Sequence, residues 1–440
     1  MSIQVLHITA HLGGGVGKAL SGLVQQEAGP IDVSHTIVCL EKPEKLQFVR
    51  EVEATGTGVV LAPCVDRLND LTAEADIVQV EWWGHPAVMS TLCRSPLPAM
   101  RLLVWCHISG LDAPVIPAAL MQSAHQCLFT SPASMQTPEV QSLPQTARRQ
   151  LAVVHSAGGI DSLPSPVRHP EEPLVAGYLG SLNFAKLHPR YADFLAQVGV
   201  PGFKVRMIGD TTNQTTLEED CQRAGCPGVL DFRGYCTDIV TELATINVMP
   251  YILNPRHYGT TENALLEAMA MGVVPVVLNN AAESCLVQDG ETGRIVATPQ
   301  EFGEVLRWLY HHPQERVRLG RQASESVRNR FPATSMRKSF MSHYEGLLSQ
   351  AKRHISFTDI LGPDPARWFL SIQRHPDFFK NVEMDINRMD NFSLHGLFEQ
   401  TKGSVFHYAA CFPHDPTLST WKKQLTELKA SLNRDIRTPL

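Results

Sequence analysis

Three stretches of this sequence combine reactive or ligand-holding residue types with turns that would present them. The first is His11-Leu12-Gly13-Gly14-Gly15-Val16-Gly17-Lys18, between an apolar run at Gln4–Thr9 and a helical pattern with Ala19, Leu20, Leu23 and Val24 on one face. Glycines at a strand-to-helix turn let the backbone approach a phosphate or a sugar, and the helix N–H groups and dipole favour negative charge there. Gly14 and Gly15 are the candidate contacts. The spacing is neither Walker A nor GxGxxG, because Ala19 replaces the Ser or Thr of the first and the third glycine of the second is missing. A tight turn without a ligand is the competing reading, but four glycines in five residues exceed what a turn needs. The second stretch runs from His257 through Gly259-Thr260-Thr261-Glu262 to Gly272 and Pro275. Thr260 and Thr261 lead into a short helix with an Ala/Leu/Met face, so their hydroxyls and the first amides can hold a phosphate or sugar hydroxyls. Glu267 falls on that otherwise apolar helix, where an unpaired carboxylate is costly; it needs a partner, and a ribose diol would serve. The third stretch, Gly177–Lys186, ends in a lysine able to neutralise a diphosphate, although taken alone Lys186 reads as a surface lysine.

Two further strand ends carry functional residue types. His107 closes the run Val104-Trp105-Cys106 where ligands bind in open α/β sheets, yet a lone histidine there is more often structural. Adjacent tryptophans in Glu81-Trp82-Trp83-Gly84-His85 can line a sugar or base site, with core packing the more ordinary use.

Positioning these residues requires a strand before each turn, and the sequence supplies them. Short β-branched runs alternate with longer helical patterns. They fall at Gln4–Thr9, His35–Leu40, Gly58–Ala62, Ile77–Glu81, Leu102–His107, Gln126–Thr130 and Leu151–Val154. They continue at Leu174–Tyr178, Lys204–Ile208, Leu230–Arg233, Val248–Tyr251, Val273–Leu278 and Arg294–Val296. Near-continuous apolar strands alternating with helices predict α/β architecture with parallel sheets covered on both faces. Thirteen strands exceed one sheet, and Pro164, Pro166, Pro170 and Pro173 break the chain at the midpoint. The expected organisation is two doubly wound, Rossmann-like domains at 1–165 and 166–353. Helices at Phe302–Tyr310, Gln314–Arg330 and Met336–Gln350 should finish the second domain. Residues 354–440 form an extension of unassigned fold, with 11 of the 31 aromatic residues lying from 355 onward. Packing against the main body is its expected role.

Composition narrows the function. The 440 residues are 43% hydrophobic and 19% charged, which excludes intrinsic disorder. A net charge of −6 with no basic patch argues against nucleic acid as a partner. The ten cysteines show no CxxC and no metal-ligand spacing, and most lie in apolar runs, as suits a reducing compartment. No signal peptide and no membrane span is visible, so the expected location is cytoplasmic, with any membrane association peripheral at the inner face.

The segment Glu267-Ala268-Met269-Ala270, Gly272, Pro275-Val276-Val277, with Glu283 and Asp289-Gly290, Thr292-Gly293 and Ile295-Val296, resembles the C-domain signature of retaining glycosyltransferase family 4. That family is also called group 1, and it has the GT-B fold. The resemblance extends upstream through Phe232-Arg233-Gly234-Tyr235 and Met207-Ile208-Gly209 to Gly177–Lys186; it is strong over about 174–350, weaker over 1–165 and absent from 355–440. It implies that Glu267, the second glutamate of a Glu-x7-Glu motif, binds the nucleotide ribose and that Lys186 meets the donor diphosphate. It also implies that Gly14 and Gly15 lie near diphosphate and acceptor, and that His107 stands beside the donor sugar. Two positions depart from the family pattern: Gly259 stands where the first glutamate belongs, with Glu262 the nearest carboxylate, and Ser181 stands where an arginine belongs. Glu262 with Thr260 and Thr261 is expected to rebuild the sugar contact; decay of the site into a binder is the alternative.

The resemblance implies transfer of a sugar from a nucleotide-diphosphate sugar to a saccharide or lipid-linked acceptor in polysaccharide biosynthesis. Lys186, the glycine-loop amides and the helix start at Thr260-Thr261 would stabilise the leaving diphosphate without a metal. No Asp-x-Asp motif occurs, in keeping with that, and no cofactor is expected. The rival readings are another GT-B enzyme, such as a nucleotide-sugar 2-epimerase or a phosphorylase, and a non-catalytic nucleotide-sugar-binding partner protein.

Overall fold

The computed structural model describes residues 2–25, 32–157, 159–165, 167–380 and 390–435. Pro166, one of the midpoint prolines, lies outside them. Seven parallel strands form the first sheet: β1 Ser2–Thr9, β2 Asp32–Cys39, β3 Gly58–Leu61, β4 Ile77–Trp82, β5 Leu102–Cys106, β6 Gln126–Phe129 and β7 Leu151–Val153. Their order is β3-β2-β1-β4-β5-β6-β7, so the winding reverses between β1 and β4. The second sheet holds β8 Ala176–Leu179, β9 Val205–Ile208, β10 Leu230–Gly234, β11 Val248–Tyr251, β12 Val274–Leu278 and β13 Arg294–Val296 in the order β10-β9-β8-β11-β12-β13. All its pairs are parallel, and its reversal falls between β8 and β11. Every residue of β4, β5, β11 and β12 is buried, which explains why β5, β11 and β12 read as near-continuous apolar runs rather than alternating ones, while β4 buries Gln79 and Glu81 among its apolar residues.

The chain forms two compact units, Met1–Gly158 with Thr334–Leu440, and Gly159–Ala333. This differs from the expected boundaries at 165/166 and 353/354. The helix Ala333–Leu348 does not finish the second unit. Its Phe340 packs edge-on against Trp105 of β5 at 4.7 Å, and its Tyr344 hydroxyl donates to Gln79 Oε1 of β4 at 2.7 Å. Arg353 then pairs with Met100 through two backbone hydrogen bonds of 3.0 and 3.1 Å. An amphipathic helix joins whichever sheet covers its apolar face, and periodicity alone does not say which sheet that is.

Residues 354–440 are likewise no separate domain. Their helices Phe357–Leu361, Pro365–Ser371, Asp377–Lys380, Asn391–Leu397, Val405–Cys411 and Pro416–Asp435 belong to the first unit. Phe369 meets Phe379 and Tyr408 edge-on at 4.9 and 5.3 Å, and Trp421 lies 5.3 Å from Phe379. This aromatic nucleus is fixed to the rest of the first unit by polar groups. The Tyr408 hydroxyl donates to Gly84 O at 3.0 Å, Arg374 donates to Gly110 O at 2.6 Å, and Arg94 lies 5.0 Å over the Trp368 ring. Among the described residues, no helix is long and apolar enough to cross a membrane.

Candidate functional site

In the second unit the loops after β8 and β11 are joined side by side. Asn254 N–H donates to Lys186 O at 2.8 Å, His188 N–H donates to Ile252 O at 3.1 Å, and the Asn254 side-chain amide donates to Phe184 O at 2.8 Å. These bonds fix the backbone carrying Lys186 against the segment that leads to Glu262. The Lys186 ammonium reaches Glu262 Oε2 at 2.9 Å, and the Tyr251 hydroxyl, at the end of β11, donates to the same oxygen at 2.6 Å. Burial alone would raise the Glu262 pKa, but Lys186 and His257 outweigh it and hold the carboxylate below its ordinary range. Lys186 is the converse: burial would lower it, and Glu262 raises it on balance. Both directions describe a fully charged pair.

His257 extends the cluster. Its Nδ1 accepts from Gly259 N–H at 3.0 Å, which places the ring proton on Nε2, and that nitrogen donates to Glu283 Oε2 at 3.2 Å. Gly259 is required by space. A Cβ there would overlap the Glu262 carboxylate and stand 2.7 Å from His257 Nδ1. The volume that a side chain at 259 would fill is therefore taken by the carboxylate of Glu262, three residues on. Glu262 is also the N-cap of the helix Asn263–Ala270, but its side chain makes no capping bond, being engaged by Lys186 and Tyr251. Thr260, Thr261 and Glu267 are buried on the same segment. Ser181 contributes its backbone oxygen, which accepts from the Tyr178 hydroxyl at 3.0 Å.

The other expected residues lie in the first unit. His107 donates its Nε2 proton to Glu81 Oε2 at 2.7 Å. Glu81 Oε1 lies 3.0 Å from His7 Nδ1 and accepts from the Gln79 amide at 2.9 Å, and His7 Nε2 meets His35 Nδ1 at 2.8 Å. The register opposes His7 to Gln79, and Glu81 to Trp105, so alternate residues of β1, β4 and β5 converge on one face of the sheet. Burial pushes the Glu81 pKa up, and the bonds from His107 and His7 more than reverse it, keeping a carboxylate with no solvent exposure ionised. His107 is thereby oriented by an anchored partner. The glycine loop opens the helix Gly14–Leu23: Gly14 has φ +55°, which only glycine adopts without strain, and no side chain caps the helix start. Gly14 and Gly15 are exposed there. Lys18 in the first turns is brought down to about 8 by burial, partly offset by Glu51.

Lys186 and Glu262 are thus brought into contact, with Thr260, Thr261 and Glu267 on the adjoining segment; His107, Gly14 and Gly15 belong to the other unit. Tyr251 and His257 escape a reading of sequence spacing, since each acts by closing a contact across loops. Glu81 left a usable sign, an acid near the end of a strand that is apolar but for Gln79. Among the described residues, no group of three or more His, Cys, Asp or Glu is arranged to hold a metal ion.

Residues 160–326 match the family model of glycosyl transferases group 1. The second unit is a group 1 glycosyl transferase domain. No curated protein matches the chain at a significant level. Solved structures do. Anabaena HepE in complex with UDP is 16% identical, covering 79% of this chain and 100% of its own at a TM-score of 0.61. A glycosyltransferase from Rickettsia africae is 12% identical, with 80% and 100% covered and a TM-score of 0.61. Sucrose-phosphate synthase from Thermosynechococcus elongatus is 14% identical, with 79% and 100% covered and a TM-score of 0.58. With a seven-stranded parallel sheet in the first unit and a six-stranded one in the second, the chain has the GT-B fold of these neighbours.

Proposed function

We propose that the protein transfers a sugar, with retention and without a metal, from a nucleoside-diphosphate sugar to a saccharide or lipid-linked saccharide acceptor. The observation that carries this reading is the buried Lys186–Glu262 pair, held by two joined loops at the strand ends of a group 1 domain. Breaking the bond between the anomeric carbon and the diphosphate puts negative charge on the departing oxygen. Lys186 and the amides at the start of Asn263–Ala270 offer preorganised positive charge for it. The acceptor oxygen bonds to the anomeric carbon on the same face, and its proton passes to the leaving diphosphate. Glu262 takes a sugar hydroxyl, Glu267 the ribose diol, and His107, steadied by Glu81, positions the sugar. Gly14 and Gly15 supply backbone amides to the diphosphate or acceptor.

Support for the donor class comes from the family match and from the neighbour HepE, whose structures include one in complex with UDP-glucose. UDP-glucose is accordingly the first donor to test, followed by GDP- and ADP-sugars. The assay measures release of nucleoside diphosphate with and without saccharide acceptors, in the presence of a chelator. Turnover that needs acceptor and ignores the chelator is expected, and Lys186→Ala and Glu267→Ala should each lower it about 100-fold or more, on the order of 2.7 kcal/mol. Undiminished transfer in both folded variants would overturn the assignment.

A further inference from the structure

The reversal between β1 and β4 is where an open α/β sheet binds ligands, and in this protein the C-terminal extension reaches it. The loop after β1 carries His11 and the loop after β4 carries Trp83 and His85. The ring of Trp83 lies 5.4 Å from that of His11 and 4.6 Å from that of His85. From the extension, His407 packs edge-on against His85 at 4.8 Å, and the Lys402 ammonium donates to His11 Nε2 at 3.1 Å while reaching Glu44 at 3.3 Å.

The hydrogen bonds fix the tautomers. His85 Nδ1 accepts from Ala87 N–H, so its proton is on Nε2; that atom has no hydrogen-bond partner and stands 3.7 Å from Glu41, although the residue has no solvent exposure. The indole N–H of Trp83, two residues earlier, is likewise buried without a partner. His407 Nδ1 accepts from Gly403 N–H, which puts its proton on Nε2 as well. A buried donor left unpaired costs about 1–3 kcal/mol, so two adjacent ones on one loop mark a place built for acceptor oxygens. Charge narrows their owner. Burial holds His11 down at about 4 and lowers His407 too, leaving these imidazoles neutral. Glu41 and Glu44 both lie near the Lys402 ammonium, and this pair of carboxylates disfavours an anion and suits hydroxyl groups that donate to carboxylates and accept from N–H groups.

We propose that the extension completes a subsite for a neutral sugar ring on the first unit, with Trp83 and His85 as its floor and Lys402 and His407 as residues that select the saccharide. Its assignment to the acceptor rests on the glycosyl-transfer reading above; saccharide binding itself does not.

The test uses the full chain and methyl glycosides of glucose, galactose, mannose and N-acetylglucosamine, with binding followed by ligand-observed saturation-transfer NMR. One glycoside is expected to bind, and Lys402→Ala and His407→Asn are each expected to weaken it about tenfold, or 1.4 kcal/mol. Asparagine keeps an acceptor for Gly403 N–H while removing the Nε2 donor, so its loss of binding is not a loss of the local fold. UDP titrated into the same samples reports on the group 1 domain alone. Binding of none of the four glycosides, indifference to both substitutions, or tighter binding of glucuronate than of the neutral sugars would overturn the subsite. Glycoside binding that persists in a protein without UDP binding or turnover would instead overturn the donor reading and leave the subsite standing.

Discussion

At the scale of single residues, the site in the group 1 domain depends on a side chain that is missing. Gly259 has no Cβ, and the Glu262 carboxylate lies where one would stand. Gly259→Ala must therefore push Glu262 away from Lys186 and Tyr251. Overpacking of this kind costs about 1–3 kcal/mol. In a Glu262→Ala background the severest overlap is gone, leaving the close approach to His257 Nδ1, and the same substitution should cost less. Urea denaturation of the four proteins of this double-mutant cycle gives the coupling, and additive effects would show that the two positions do not compete for one volume. The pair also has a signed pH dependence. Glu262 is lowered from 4.5, so its contribution is complete above that pH and fades as the pH falls through the depressed value. Lys186 is raised from 10.5, so its contribution is complete below that pH and is lost only above it. Sequence offered candidate residues here more readily than what they touch. Lys186, Thr260 and Glu262 stand at legible strand-to-helix turns, whereas their partners Tyr251 and His257 are chosen by the joining of two loops some 65 positions apart in the chain (Phe184 to Asn254 spans 70).

At the scale of elements, strands were far more legible than helix ownership. Val248–Tyr251 and Arg294–Val296 match their expected bounds, and the other eleven strands shift by at most three residues at an end, because buried parallel strands are written as short β-branched runs. The helix Ala333–Leu348 was legible as a helix and assigned to the wrong sheet. Periodicity does not say which sheet covers its apolar face; in the structure Phe340 packs on Trp105 and Tyr344 donates to Gln79, both inside the first unit. Tyr344→Phe removes that bond and leaves Gln79 Oε1 without its donor, at a cost of about 1–3 kcal/mol. The loss belongs to the first unit. It should appear in the unfolding transition reported by Trp105, which touches Phe340 of the same helix, while UDP affinity stays unchanged. A loss of UDP affinity with no change in that transition would mean that the helix serves the group 1 domain after all.

At the scale of the molecule, the two units can be observed separately because their chromophores are unequally shared. Trp82, Trp83, Trp105, Trp368 and Trp421 lie in the first unit and Trp308 alone in the second, so tryptophan fluorescence reports chiefly on the first. A ligand that binds only the folded group 1 domain stabilises that domain by mass action, by about 2.7 kcal/mol at 100 times its Kd. For a unit of this size each kcal/mol moves the midpoint by about 2–4 °C. UDP should therefore raise the calorimetric transition of the second unit by several degrees and leave the fluorescence midpoint in place. Glu267→Ala should abolish the rise, since it removes the carboxylate proposed to hold the ribose diol. A rise that survives in Glu267→Ala would move the ribose contact to another residue, and a fluorescence midpoint that climbs together with the calorimetric one would show that the units unfold as one cooperative body. No rise with UDP, GDP or ADP would leave the group 1 fold intact and remove the nucleotide-sugar donor from the reading, because a domain that holds a nucleoside diphosphate cannot avoid being stabilised by it.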